Sequence, residues 1–146
     1  MKDGPQKTSV IGFYGFSNSG KTSLIFKLIR KLDAAGYSSA VIKRTDKALS
    51  SEPKEKDTSG YRAAGAKITS FSSLSETNFV LPEKITIHQT IDILLAISDV
   101  DLIFVEGAFE PEIQKIRLGG IPKRENTIYE YDGDFDSLYN LILKMI

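Results

Sequence analysis

Between an apolar run, Val10-Ile11-Gly12-Phe13-Tyr14, and a stretch of helical periodicity from Ser23 onward lies Gly15-Phe16-Ser17-Asn18-Ser19-Gly20-Lys21-Thr22. No other segment of the chain limits its fold so tightly. A glycine-rich turn that leaves a buried strand, opens a helix and closes on Gly-Lys-Thr is the signature of a phosphate-binding P-loop in its required setting. Gly15 and Gly20 admit backbone conformations closed to residues with side chains, so successive N–H groups can curl around phosphate oxygens. The positive end of the helix dipole, beginning near Lys21, adds to that attraction. Lys21 is expected to reach the β- and γ-phosphates and the Thr22 hydroxyl to ligate Mg²⁺. Ser17, Asn18 and Ser19 keep the loop small and polar and, with Ser23 at the helix start, complete the candidate phosphate-binding set. The competing explanation, a chance glycine turn capped by Ser19, has to account for eight residues in the correct strand–loop–helix context.

Charge narrows the partners. Lys plus Arg and Asp plus Glu both number 19, so no net field draws the chain to nucleic acid or to an anionic membrane. The anion site is therefore local. No cysteine is present, which excludes disulfides, thiolate zinc and a cysteine nucleophile, and the single histidine, His88, cannot build a multi-histidine metal centre. His88 reads as an exposed, structurally neutral residue. No apolar run approaches the length of a bilayer span, and a cytoplasmic protein is the default expectation. A chain of 146 residues is expected to form one domain, residues 1–146, with residues 1–7 as a loose arm.

The periodicities place further elements. Leu24, Ile25, Leu28, Ile29 and Leu32 recur as one helix face, ended by Gly36. Residues 37–43 read as a second strand and residues 47–56 as a long polar loop. Asp57 caps a short helix that stops at Gly65. Residues 66–73 and 78–81 read as strands, and Thr86 caps a helix with Ile87, Ile91, Leu94, Leu95 and Ile97 on its apolar face. Residues 115–118 and 127–131 alternate as half-exposed strands, and residues 135–146 form a final helix.

Leu102-Ile103-Phe104-Val105 is a strand apolar on both faces, as in a largely parallel sheet. Its last residue, Glu106, precedes Gly107 at the carboxyl end, where P-loop NTPases keep the carboxylate associated with Mg²⁺. Asp101 begins the strand at the opposite edge. The expected architecture is an α/β, three-layer P-loop NTPase fold: a mostly parallel sheet, helices on both faces, and an antiparallel edge or extension from the later strands.

The ordered set of P-loop, Val41-Ile42-Lys43, Lys56-Asp57-Thr58, Arg62 with Ala64-Gly65-Ala66, Val105-Glu106-Gly107 and Ile113-Gln114-Lys115-Ile116 resembles the MobB family of GTP-binding P-loop proteins, from about Val10 to Leu118. The resemblance implies an accessory protein of molybdenum-cofactor biosynthesis that binds GTP and Mg²⁺ and is at most a weak GTPase. It implies a homodimer that assists the nucleotidyltransferase MobA. By the same resemblance Gly15, Ser19, Gly20, Lys21 and Thr22 hold phosphate and Mg²⁺, and Glu106 is the strand-end carboxylate. Lys43, Asp57, Arg62 and Lys115 line or support the site, with Lys21, Glu106 and Asp57 as the candidate catalytic residues. The histidine-rich segment that members often carry after the second-strand lysine is replaced here by Arg44-Thr45-Asp46-Lys47-Ala48.

Physical readings independent of the resemblance remain open at these positions. Lys43 either balances phosphate charge or ends a strand in water; Asp57 either organises metal-bound water or only caps its helix. Arg62 either clamps a phosphate or pairs with an acidic neighbour, and Lys115, on an alternating strand, reads as a surface residue whose functional weight rests on the resemblance. The guanine-reading Asn-Lys-x-Asp motif is absent, so the base is implied by family alone. Two other functions fit the loop: a small-molecule kinase using ATP or GTP, and an interaction module whose P-loop is a relic.

Overall fold

The computed structural model describes residues 7–49 and 57–146. The expectations for residues 1–6 of the arm and 50–56 of the long loop lie outside the described residues. Seven strands and four helices follow one another as β1 (Ser9–Gly15), α1 (Lys21–Ala34), β2 (Ser39–Lys43), α2 (Asp57–Ala63), β3 (Thr69–Ser72), β4 (Thr77–Val80), α3 (Ile87–Ile97), β5 (Leu102–Glu106), β6 (Gln114–Leu118), β7 (Thr127–Tyr131) and α4 (Phe135–Leu143), all counted among the described residues. They form two compact units, Met1–Thr45 with Thr90–Ile146, and Asp46–Gln89.

In the first unit five strands form one sheet in the order β2-β5-β1-β6-β7, and every pairing is parallel. The expected parallel sheet is borne out, and the later strands β6 and β7 join it in parallel. The antiparallel component lies elsewhere, in the β3–β4 hairpin of the second unit. Phe71 and Phe79 of that hairpin remain exposed.

Alternation along β1 sends Ile11 and Phe13 to one face of the sheet and Gly12 and Tyr14 to the other. On the first face Leu24, Ile25, Leu28 and Leu32 of α1 and Leu138, Tyr139 and Ile142 of α4 bury Ile11, Phe13, Phe104, Ile116 and Leu118. The predicted stripe of α1 is thus the core. Its end is also as expected: Gly36 is left-handed at φ +85°, and the N–H of Tyr37 donates to Leu32 O at 3.0 Å, which satisfies a terminal carbonyl. Two lysines of α1 hold the start of α4. Lys27 lies 4.6 Å above the Phe135 ring, and Lys31 lies over Tyr139 and pairs with Asp136 at 2.8 Å.

Because β1 separates β5 from β6, the chain leaving β5 must pass over β1 to begin β6. Residues 107–113 make this passage on the face opposite α1. A Cβ built on Gly12 would lie 2.4 Å from Ala108 Cβ, 3.3 Å from Ile113 Cγ2 and 3.2 Å from Lys115 Cγ. Ala108 and Ile113 are buried there. A glycine inside a strand marks a close approach of this kind.

On α3 the expected cap is present: Thr86 Oγ1 accepts from the N–H of Gln89 at 3.2 Å while Gln89 Oε1 accepts from the N–H of Thr86 at 2.9 Å. Its apolar face is less buried than the periodicity implied. Ile87 is buried and Ile91 and Leu94 are half-buried, whereas Leu95 and Ile97 stay exposed. His88 is exposed, as expected.

Gly12→Ala tests the close crossing. Overpacking a methyl against a buried backbone segment typically costs about 1–3 kcal/mol. The expected result is a lower urea midpoint with an unchanged slope; an unchanged midpoint would mean that residues 107–113 are not held against β1.

Candidate functional site

β1 ends at Gly15 and α1 begins at Lys21, so the P-loop bridges the carboxyl end of a central strand and a helix N-terminus. Both glycines are required, for different reasons. Gly20 adopts φ +88°, which side-chain-bearing residues rarely take. Gly15 is required for space: an added Cβ would come 2.7 Å from Leu118 O and 2.8 Å from Ser19 Oγ. Asn18 also takes a left-handed conformation, at φ +62°, which Asn tolerates better than most residues. Gly20 is the N-cap of α1 and no side chain caps the helix, while its first turn carries no acidic residue. The terminal N–H groups are thus left to an anion.

The Lys21 ammonium lies across this loop. It donates to Gly15 O at 3.1 Å, Phe16 O at 2.7 Å and Ser19 Oγ at 3.3 Å. Ser17, Asn18, Gly20 and Ser23 are exposed around it, and Thr22 is half-buried. Thr22 Oγ1 donates to Glu106 Oε1 at 3.0 Å. Glu106 ends β5 in register with Phe13 of β1 and Lys43 of β2, and Lys43 Nζ stands 3.9 Å from Glu106 Oε1. Lys21, Thr22, Glu106 and Lys43 therefore gather at one edge of the sheet.

This donor set suits Mg²⁺. The ion is commonly held by one or two carboxylates and a hydroxyl, with waters and substrate phosphates completing its shell. A hydroxyl and a carboxylate oxygen 3.0 Å apart at the mouth of the loop can serve one such ion. No group of three or more His, Cys, Asp or Glu residues that could hold a metal alone occurs among the described residues. Asp101 is at the far edge, as expected, where its carboxylate accepts from Ser38 N at 2.8 Å and Ser38 Oγ at 3.0 Å.

Lys115 is not a surface residue. It is fully buried, and its ammonium donates to the carbonyls of Glu110, Ile113 (2.6 Å) and Glu125 (2.8 Å). An ammonium has three protons to donate, and three carbonyls take them. Burial pushes the Lys115 ammonium below its ordinary range, an effect the neighbouring Glu110 carboxylate opposes. Asp57 and Arg62 belong to the second unit. Asp57 is the first residue of α2, and Arg62 ties that helix to β3 by donating to Thr58 O at 3.2 Å and Thr69 Oγ1 at 2.5 Å.

A cluster not anticipated from the sequence adjoins Glu106. Arg44, just beyond β2, pairs with Glu110 and stacks 4.5 Å from the exposed Phe109 ring, while its N–H donates to Glu106 O at 3.1 Å. Arg124 donates to Ala108 O at 2.6 Å and lies 4.7 Å from the Tyr14 ring. Nothing in local sequence pairs residues 44 and 110 or 108 and 124. Gly12, in the middle of a strand, was the signal that a segment crosses there.

The carboxyl edge of a parallel sheet, a P-loop on its central strand and a strand-end carboxylate beside it define a P-loop nucleotide-binding protein of the α/β class. Comparison with known proteins gives the family. The sequence profile described as "Molybdopterin guanine dinucleotide synthesis protein B" (MobB) matches residues 10–134. The chain belongs to the MobB family. It is 32% identical over 114 residues to the molybdopterin-guanine dinucleotide biosynthesis adapter protein of Escherichia coli, covering 75% of this chain and 64% of that one. It is 32% identical over 111 residues to a Methanocaldococcus jannaschii protein provisionally given the same adapter name, covering 75% of this chain and 44% of that one. The chain thus spans less than two thirds of either relative. Among solved structures, Bacillus subtilis MobB superposes with a TM-score of 0.69 at 16% identity, covering 94% of this chain and 98% of that one. A MobB homologue of Bacillus stearothermophilus gives 0.61 at 16% identity, with 92% and 95% covered. These structures share the fold.

The Arg44–Glu110 pair is open to titration. Burial raises the Glu110 carboxyl, but hydrogen bonds from Arg44 and from the N–H groups of Glu110 and Phe109 outweigh it and hold Glu110 below its ordinary value. A depressed carboxylate stabilises the fold above its unfolded value of about 4.3 and loses that contribution as pH falls through the lower folded value. The side-chain carboxyl resonance of Glu110 should titrate below the usual glutamate range. Arg44→Gln should raise that midpoint and move acid unfolding to higher pH; an unmoved midpoint would show that Arg44 does not set it.

Proposed function

We propose that this chain is a nucleotide-binding adapter of molybdopterin guanine dinucleotide biosynthesis. On this reading it binds GTP with Mg²⁺ at the P-loop and works as a cytoplasmic homodimer beside a MobA-like nucleotidyltransferase. The observation that carries the nucleotide reading is the Thr22 hydroxyl 3.0 Å from the Glu106 carboxylate at the mouth of an intact loop. The pathway rests on family membership and on the names of the two relatives.

The geometry supports the following assignment of roles. Backbone N–H groups of residues 15–22 surround the phosphates, and Lys21 exchanges its bonds to Gly15 O and Phe16 O for phosphate oxygens. Thr22 and Glu106 hold Mg²⁺, which when bound neutralises phosphate charge. Lys43 offsets the remaining negative charge beside Glu106. Lys115 braces residues 107–113 from behind, and Arg62 ties α2 to β3 within the second unit. Hydrolysis needs a group that orients the attacking water. Among the described residues the polar side chains paired with Glu106 are Thr22 and Lys43, and Arg44 pairs with Glu110; this supports the reading of slow turnover at most.

Calorimetric titration with GTP and ATP, each with and without Mg²⁺, tests the reading. Wild-type protein should bind GTP in a Mg²⁺-dependent manner and ATP poorly. Charge-assisted hydrogen bonds contribute about 1.5–3 kcal/mol, so Lys21→Ala should weaken GTP binding roughly ten- to a hundredfold. Glu106→Gln should remove the Mg²⁺ dependence while leaving metal-free affinity nearly intact. Equal GTP affinity in wild type and Lys21→Ala would take the P-loop out of the proposal, and a preference for ATP would sink the guanine claim.

A further inference from the structure

Among the described residues β2 pairs only with β5, so it is an edge strand, and Lys43 is its last residue. Strand termini of this kind fray unless something beyond the ladder holds them. This terminus adjoins the metal-binding edge, because Lys43 is in register with Glu106, whose carboxylate meets Thr22. One residue further on, the N–H of Arg44 donates to Glu106 O at 3.1 Å, and at Asp46 the chain enters the second unit. The main chain of Glu106 is therefore tied to β2 by a bond at the point where β2 gives out.

The Arg44 side chain reinforces that point. Its guanidinium pairs with Glu110 and lies 4.5 Å from the Phe109 ring, and the Arg44 and Glu110 side chains are only 17% and 15% exposed. Both Glu110 oxygens are used, Oε1 by Arg44 and Oε2 by the N–H of Phe109 at 3.2 Å. The Glu110 carbonyl is held in turn by the buried Lys115. From the other direction Gly107 packs on Arg44, where an added Cβ would lie 3.2 Å from Arg44 O. Replacing a pair so far withdrawn from water by apolar residues is often neutral, because desolvation offsets its attraction; fixing one arrangement of the chain is its best-attested use. Here the chain so fixed is the end of β2 and the start of the crossing, with Glu106 between them.

We propose that Arg44 is a positioning residue of the metal site: paired with Glu110, it fixes the Glu106 main chain so that the carboxylate meets the Thr22 hydroxyl at a spacing one Mg²⁺ can use. The inference rests on the nucleotide reading of the P-loop. On this assignment Arg44 contacts neither metal nor phosphate and acts through the Glu106 carbonyl. Groups that hold a metal ligand in place commonly contribute about 10- to 100-fold to metal affinity.

Two affinities separate this role from a general one: that of the protein for GTP in EDTA, and that of the GTP-bound protein for Mg²⁺. Arg44→Gln and Glu110→Gln should each weaken Mg²⁺ binding about tenfold and leave the GTP affinity in EDTA unchanged. Because a single pair is responsible, the double variant should lose no more than the weaker of the two. Exchanging the partners, Arg44→Glu with Glu110→Arg, should recover most of the loss. Arg44→Lys keeps the charge without the planar fork, so it should fall between wild type and Arg44→Gln, and it decides the matter if the glutamine variants do not fold. Unchanged Mg²⁺ affinity in the variants, or an equal fall in both affinities, would overturn the assignment and leave the P-loop reading standing. A wild-type protein that binds no nucleotide would end both.

Discussion

The structure depends on a constraint of chain order: the strand that carries the phosphate loop is central, and its two neighbours, β5 and β6, are consecutive in the chain. The chain must therefore cross β1 between them. Parallel neighbours are usually joined through a dozen or more residues, most often a helix. Here residues 107–113 cross without one, and what makes the short passage possible is the missing side chain at Gly12. The same crossing determines the surroundings of Glu106, because the segment begins at the next residue, Gly107. That glycine is left-handed at φ +88° and donates to Phe13 O at 2.8 Å.

A helix laid across a sheet satisfies its own backbone, whereas an irregular segment has carbonyls that need partners. Long basic side chains provide them. Lys115 reaches the carbonyls of Glu110 and Ile113, Arg124 reaches that of Ala108, and Arg44 takes the Glu110 carboxylate. Burying an ammonium is unfavourable unless its hydrogen bonds are made. All three of the Lys115 bonds are made, and no buried side-chain nitrogen or oxygen among the described residues lacks a partner. The polar pins thus do for this crossing what an apolar helix face does for α1.

This division explains what the sequence disclosed. α1, β1 and β5 were legible because their burial follows local periodicity, and the P-loop because its glycines, lysine and threonine lie within one short stretch. The adjacency of Thr22 and Glu106 was legible through the rule that ligands sit at the carboxyl ends of parallel strands. Lys115 was not. An alternating Gln-Lys-Ile-Arg-Leu pattern describes a half-exposed strand, and only the crossing covers the face on which the lysine lies. The direction of β6 and β7 was hidden for the same reason, since short connections ordinarily signal antiparallel neighbours. Arg44 and Glu110 are distant in sequence, so no spacing rule could join them.

The pinned crossing also bears on how the site meets a nucleotide. In many P-loop proteins the segment after the strand-end carboxylate is ordered by contacts to the terminal phosphate and released on hydrolysis. A ligand shifts such an equilibrium only through differential contacts with the two states. Residues 107–113 are ordered by the protein's own Lys115, Arg44 and Arg124, so their order does not depend on a phosphate. The groups with bonds to exchange are in the loop itself, where Lys21 rests on Gly15 O and Phe16 O, and Thr22 on Glu106. A charge already held at the mouth of the loop loses little conformational freedom when a phosphate replaces its carbonyl partners. Such a site favours holding a ligand over switching with it.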